Sequence, residues 1–242
     1  TFSSFLTISK DKLMKKTFIF GLLASAFLMA CESTPKSDEA EVGEAQEVNE
    51  EEVAAAKEMA VDTDLSMVTW VGTKPVGKHQ GTFKVSEGAI AVEEGKVVGG
   101  SFVIDVTSIE VTDEEMGDEE KAKLAGHLSS PDFFTIEEFP TATFEIVSVA
   151  DYVAPEGEEE KDPEYTLTDP THSVTGNLEL KGVKKSITFP AKIVMADNKV
   201  DAQAKFNINR KDWGMDYGAD ESLGDKFINP TVHIGFDIKT KE

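Results

Sequence analysis

The chain has 242 residues, enough for one large or two small domains, and a formal net charge of −22. Lys10, Lys12, Lys15 and Lys16 against Asp11 leave the first 31 residues at +3, so the rest carries −25. Such a surface repels phosphate backbones and excludes nucleic acid as a partner. The single cysteine, Cys31, excludes a disulfide framework within one chain.

In chain order, the first expected element is an export signal. The first methionine is Met14, taken here as the start of translation. Lys15 and Lys16 form a positive n-region, and residues 17–30 form an apolar run of 14. That is shorter than the ~20 residues of a comfortable membrane span, and it fits a secretory h-region. The run ends in Leu28-Met29-Ala30-Cys31, which resembles the bacterial lipobox, with Met29 uncommon at its position. Residues 1–31 are thus assigned to upstream residues plus a lipoprotein signal peptide. Cys31 is the expected lipidation site and membrane anchor, since each buried CH₂ contributes ~0.8 kcal/mol. A plain signal peptide or an uncleaved anchor is the alternative. The expected location is the bacterial cell envelope, anchored to a membrane and facing the periplasm or the cell exterior.

Residues 32–63 hold eleven acidic residues, two lysines and no aromatic. A segment so poor in apolar surface is expected to be a disordered, self-repelling tether that protease can cut, with a short helix around 50–59.

From Asp64 to Glu242 the texture is that of one folded domain. Apolar residues alternate with polar ones in 102–107, 173–180, 187–193, 202–210 and 232–238, the period of half-buried antiparallel strands. Further strands fit 67–74, 81–85, 89–92 and 143–149. Glu94-Gly95 and Asp197-Asn198 read as hairpin loops, and Lys181-Gly182-Val183-Lys184-Lys185 separates two more strands. Leu124, Ala125 and Leu128 share one face of an expected helix over 119–128. Residues 151–171, acidic and proline-containing, read as a long exposed loop. Eight or nine strands over this length favour a closed barrel or a sandwich. A barrel of eight either fills with side chains or holds one small ligand.

Several stretches then read together. They are Val68-Thr69-Trp70-Val71-Gly72, Gly77-Lys78-His79-Gln80-Gly81-Thr82-Phe83, Gly99-Gly100-Ser101-Phe102, and His127-Leu128-Ser129-Ser130-Pro131-Asp132-Phe133-Phe134 running to Phe139-Pro140. Gly176-Asn177-Leu178-Glu179-Leu180-Lys181-Gly182 and Asn209-Arg210-Lys211-Asp212-Trp213-Gly214 complete the series. In order and spacing the series resembles the YceI-like family of lipid- and polyisoprenoid-binding periplasmic proteins. The resemblance implies an all-β fold, an extended antiparallel eight-stranded lipocalin-like barrel with one short helix and a long apolar channel. It implies a non-catalytic protein that binds, stores or carries a polyisoprenoid or an isoprenoid quinone. The 151–171 loop is longer than the family's usual one, and the lipid anchor sets the chain apart from freely soluble members.

The candidate ligand-binding residues are Trp70, His79, Phe83, Phe102, Ile104, His127, Phe133, Phe134, Phe144, Leu178, Leu180, Phe189, Phe206, Ile208, Arg210 and Trp213. His79 and His127 either hydrogen-bond backbone to fix loops or face the ligand's polar head. Arg210 continues the inward parity of Phe206 and Ile208, so it needs an anion or carbonyls: an ion pair with Asp or Glu, or a head group. Trp70 and Trp213 are either core residues or flank the channel. Asp105 and Asp212 show no spacing that favours acid–base chemistry, and no HxH or HxxxH spacing favours a metal. No cofactor is expected beyond the bound lipid. The partners expected are that lipid and the membrane, and a homodimer is compatible with the sequence. The competing class is a structural or surface-interaction lipoprotein whose barrel is packed solid.

Overall fold

The computed structural model describes residues 34–155, 157 and 160–242; the export signal and Cys31 lie outside them. The described chain is dominated by antiparallel strands. Two short strands come first, β1 (Glu41–Glu44) and β2 (Lys57–Ala60), with helix α1 (Glu50–Ala55) between them. Then follow β3 (Met67–Lys74), β4 (Gly77–Glu93), β5 (Lys96–Val111), helix α2 (Asp118–Ser129), β6 (Thr141–Asp151), β7 (His172–Leu180), β8 (Val183–Ala196), β9 (Lys199–Asn209) and β10 (Thr231–Lys239). Strands β3 to β10 each pair antiparallel with the next, and β10 pairs back onto β3, closing an eight-stranded barrel. Closure removes the free edges of an open sheet, apart from a gap between β8 and β9.

Local chemistry explains the hairpins. Glu94-Gly95, Lys181-Gly182 and Asp197-Asn198 hold positive φ at both central positions. Two-residue turns of this hand match the twist of the flanking strands. The runs expected over 81–85 and 89–92 belong to one long strand, β4, which slips register against β5 at several points. Helix α2 lies within a residue of its expected bounds, and its first turn carries Asp118, Glu119 and Glu120, favourable at a helix N-terminus. Leu124, Ala125 and Leu128 pack it against the core.

Two glycines answer to close packing. A Cβ on Gly81 would lie 2.6 Å from the Trp70 ring and 1.9 Å from the Glu110 carbonyl oxygen. A Cβ on Gly176 would lie 2.3 Å from the Phe144 ring. At both positions a large ring occupies the space that a side chain on the neighbouring strand would need.

The acidic segment expected to be a free tether is corrected from Thr34 onward. Strand β8 pairs with β9 only from Ala191 to Ala196, so the two strands part towards the other end. β1 fills that gap by pairing with residues 185–188 of β8, while Asn207 of β9 accepts from Ala40 N at its carbonyl and donates its N–H to Asp38 O. Buried Asn177 clasps the segment by donating to Gln46 O and accepting from Gln46 N. β2 lies in line with β3 along β4, and Met59 and Val61 are buried. Backbone pairing holds the segment despite its polar composition, because the parted strands offer unpaired N–H and C=O groups that must find partners. The 151–171 loop is corrected in part as well. Tyr165 and Leu167 are buried, Asp162 N donates to Lys36 O, and Ser37 Oγ donates to Tyr165 O. No described helix is long and apolar enough to cross a membrane.

Candidate ligand-binding site

The barrel interior has two unlike halves. Phe102, Phe144, Phe189, Phe206 and Phe236, all buried, meet in ring contacts with centroids 4.2–5.7 Å apart. This cluster packs the half towards the β4–β5 and β8–β9 hairpins and leaves a void of only about 50 Å³. The other half holds a cavity of about 410 Å³. Its wall combines Val68, Trp70, Phe83, Ile104, Leu178 and Ile208 from the strands with Leu124 and Leu128 of α2, and Phe133 and Phe134 that follow it. The period-two alternation of each strand turns these apolar residues inward.

Above this wall the polar groups are already engaged. His79 Nδ1 lies 2.8 Å from Asp113 Oδ2, and Asp113 Oδ1 accepts from Gln80 N at 3.0 Å. His127 Nε2 lies 3.1 Å from Asp132 Oδ2, its ring edge-on to Phe133 and Tyr217 at 5.2 and 5.0 Å. Both histidines therefore line the cavity with one nitrogen on a carboxylate, a partner type the sequence does not point to.

Arg210 finds carbonyls in place of the expected ion pair with Asp or Glu. Its guanidinium is buried and donates to four backbone carbonyls: Asn229 and Met215, and Tyr217 and Ile228 at 2.9 Å each. Burial lowers its pKa from the ordinary value, and nearby Asp216 opposes that. The fork thus ties together the irregular 214–230 connection that roofs the cavity, and it stacks on Phe133 at 5.6 Å.

Of the expected site residues, Trp70, His79, Phe83, Ile104, His127, Phe133, Phe134, Leu178, Leu180, Ile208 and Arg210 line the cavity. Phe102, Phe144, Phe189 and Phe206 do not; they form the floor beneath it. Nor does Trp213, which is fully buried in a short 3₁₀ turn with its Nε1 donating to Leu178 O at 3.2 Å. Period two assigns a side chain to the inside but not to a depth along the axis, so floor and wall residues carry the same signal. Cys31 lies outside the described residues. The lining also includes Val232, Ile234 and Phe236 of β10, whose alternation is visible in the sequence, and Met215, Tyr217 and Ile228 of the roof, which no periodicity marks. Among the described residues, no three His, Cys, Asp or Glu side chains converge as a metal site would require.

With a closed barrel and a lined cavity in place, the comparisons decide the family. A profile of the YceI-like domain matches residues 59–240. The chain belongs to the YceI-like family. The match begins at β2 and ends at the close of β10, so it spans the barrel and leaves β1 and α1 outside. Among solved structures, BcnA of Burkholderia cenocepacia is similar, with 21% identity and a TM-score of 0.56 over 75% of this chain and 99% of that one. A polyisoprenoid-binding domain from Saccharophagus degradans, implicated in plant cell wall breakdown, is similar at 17% identity and a TM-score of 0.54, over 77% and 98%. At these identities the likeness is one of fold. A search of the curated proteins found no match.

Proposed function

We propose that this YceI-like chain binds, stores or carries an isoprenoid lipid, a polyisoprenoid or an isoprenoid quinone, in the bacterial envelope, and that it catalyses nothing. The observation that carries the reading is the apolar cavity of about 410 Å³. Its volume falls in the ~300–1,000 Å³ range of small-ligand sites. A solid barrel, the competing class, has no place for it. The name of the Saccharophagus relative supports the same ligand class. The chain is held at the membrane through lipidated Cys31, and the lipid is its ligand in place of a cofactor.

Trp70 Nε1 and Thr73 Oγ1, on residues of the cavity wall, are buried with no hydrogen-bond partner among the described residues, and an orphaned buried donor costs ~1–3 kcal/mol. Both atoms are sealed from the open space, so the wall suits a polyisoprenoid and a quinone alike. Size sets a limit. A cavity of ~150 Å³ holds one benzene, so 410 Å³ accommodates on the order of fifteen carbons. The remaining carbons of a longer chain project from the mouth unless the floor moves.

Native mass spectrometry of protein purified without detergent, with analysis of its organic extract, tests the reading. One isoprenoid lipid per barrel is expected. An empty extract together with no saturable uptake of an added isoprenoid quinone overturns it.

A further inference from the structure

Lys74 of the β3–β4 turn and Asp225 and Lys226 of the 217–226 segment are charged residues of the cavity lining, which sets its mouth between these two elements. Both elements present apolar side chains to solvent. Val76, at the tip of the turn, is 71% exposed; Tyr217 and Leu223 are 46% and 45% exposed. The turn reads Lys74-Pro75-Val76-Gly77-Lys78, an apolar tip between two lysines with no acid, in a chain of net charge −22. Exposed apolar residues also occur at the far end, at Leu65, Val153 and Val194. There the surrounding turns mix Asp62, Asp64, Glu93, Glu94, Asp151 and Asp197 with Lys96 and Lys199, and the phenylalanine floor shuts off the interior.

The path of the N-terminus supplies an independent observation. Asn229, part of the cavity wall, donates through Nδ2 to Thr34 Oγ1, and its own N–H donates to Thr73 O at 2.9 Å. The described chain therefore begins at the mouth. Cys31, the residue proposed above to carry the lipid, precedes Thr34 by three positions in the sequence. Covalent geometry limits Cys31 to about 11 Å from Thr34, at ~3.6 Å per residue.

We propose that the rim formed by the β3–β4 turn and the 217–226 segment docks on a lipid bilayer, so that ligand passes between bilayer and cavity without crossing water. The proposal rests on the lipid-binding reading above and adds its route. Val76, Leu223 and the Tyr217 ring enter the interface, while Lys74 and Lys226 meet anionic head groups. Asp220, Glu221 and Asp225 on the same rim oppose deep insertion, so contact is shallow and strengthened by the nearby N-terminal attachment, which raises the local concentration of one surface at the other. A chain too long for the cavity keeps its remaining carbons in the bilayer throughout.

The test uses the full chain, mixed phosphatidylethanolamine–phosphatidylglycerol vesicles and a fluorescent isoprenoid quinone. For the native protein, the uptake rate should rise in proportion to vesicle and protein concentration, as collision requires. V76D combined with L223D, neither of them a cavity residue, should slow uptake from vesicles about tenfold. Equilibrium affinity for quinone delivered from ethanol should stay unchanged. Uptake at an unchanged rate in the double variant, or a rate set only by desorption of quinone into water, overturns the docking. So does a finding that the substitutions abolish self-association of the chain and leave vesicle contact intact, since the rim is then a surface for a second copy. Failure of the native protein to take up quinone by either route is a separate outcome, which removes the lipid-binding reading itself.

Discussion

At the scale of single residues, the site is a set of polar groups already committed to protein partners, with two exceptions, Trp70 and Thr73. Arg210, His79 and His127 are held by carbonyls or carboxylates. Trp70 is not: its indole N–H is buried without a partner, while its ring fills the space above Gly81. Trp70→Phe keeps most of the ring and removes the orphaned donor. The substitution should leave thermal stability unchanged or raise it slightly, because losing an unsatisfied buried group offsets the lost ring area. Because the indole N–H does not reach the open space, a quinone and a plain isoprenoid hydrocarbon should lose affinity to the same small extent. Selective loss of the quinone would show that the wall shifts to bring the N–H to the ligand. The sequence names Trp70 and His79 as candidates and leaves their facing open; the missing partner of one and the carboxylate of the other depend on which loops lie over the strand ends.

At the scale of elements, the N-terminal segment decides most. It enters the gap between β8 and β9 and is locked from the outer face by a buried polar relay. Asn207 Nδ2 donates to Pro35 O and Glu39 Oε1, each at 2.9 Å, and Asn207 Oδ1 lies 3.0 Å from His233 Nδ1. The His233 ring packs edge-on against Tyr165 at 5.2 Å. Burial, with a further contribution from Lys205, pushes the His233 pKa down to about 4, while Asp162 opposes the shift. The unfolded imidazole titrates near its ordinary 6.5. Between those values the unfolded chain holds the extra proton, so this contribution to stability is full above pH 6.5 and is lost as pH falls towards about 4. At ~1.36 kcal/mol per pH unit it amounts to about 3 kcal/mol. Acidification should therefore loosen the 34–46 segment first. Hydrogen exchange should find the Ala40 and Gln46 amides protected near neutral pH and exposed near pH ~4.5, and His233→Gln should flatten that dependence. Amides that exchange freely at neutral pH would return the segment to a free tether.

At the scale of the whole molecule, the barrel is divided crosswise into a packed half and an open half. Phe236 stands on the boundary, lining both the large cavity and the small void of about 50 Å³ beyond it. Phe236→Leu trims that partition and keeps it apolar, at a cost of ~1–2 kcal/mol for a partly refilled core. Joining the two spaces should shift preference towards longer isoprenoid chains, read as the chain-length profile of lipids extracted from the variant. An unchanged profile alongside a lower melting temperature would mean that the floor moves as a unit and that the ligand never reaches it.

The sequence by itself determined the strand periods, three hairpin turns, helix α2 and the series of motifs that marks the YceI-like barrel, because each is written in neighbouring residues. The inward face of most strands was legible on the same ground, though not that of the strand carrying Trp70. Only the tertiary structure decided where along the axis the barrel is filled, since depth depends on register between strands far apart in sequence. It also decided that Arg210 serves backbone carbonyls and that Trp213 is core, since both depend on how the 214–230 connection folds back. The acidic segment is the plainest case. Its composition predicts disorder, because it has too little apolar surface to offset chain entropy, yet its backbone pairs with the parted strands β8 and β9. Their unpaired N–H and C=O groups exist only once the barrel has formed, so no local signal in residues 34–46 could announce them.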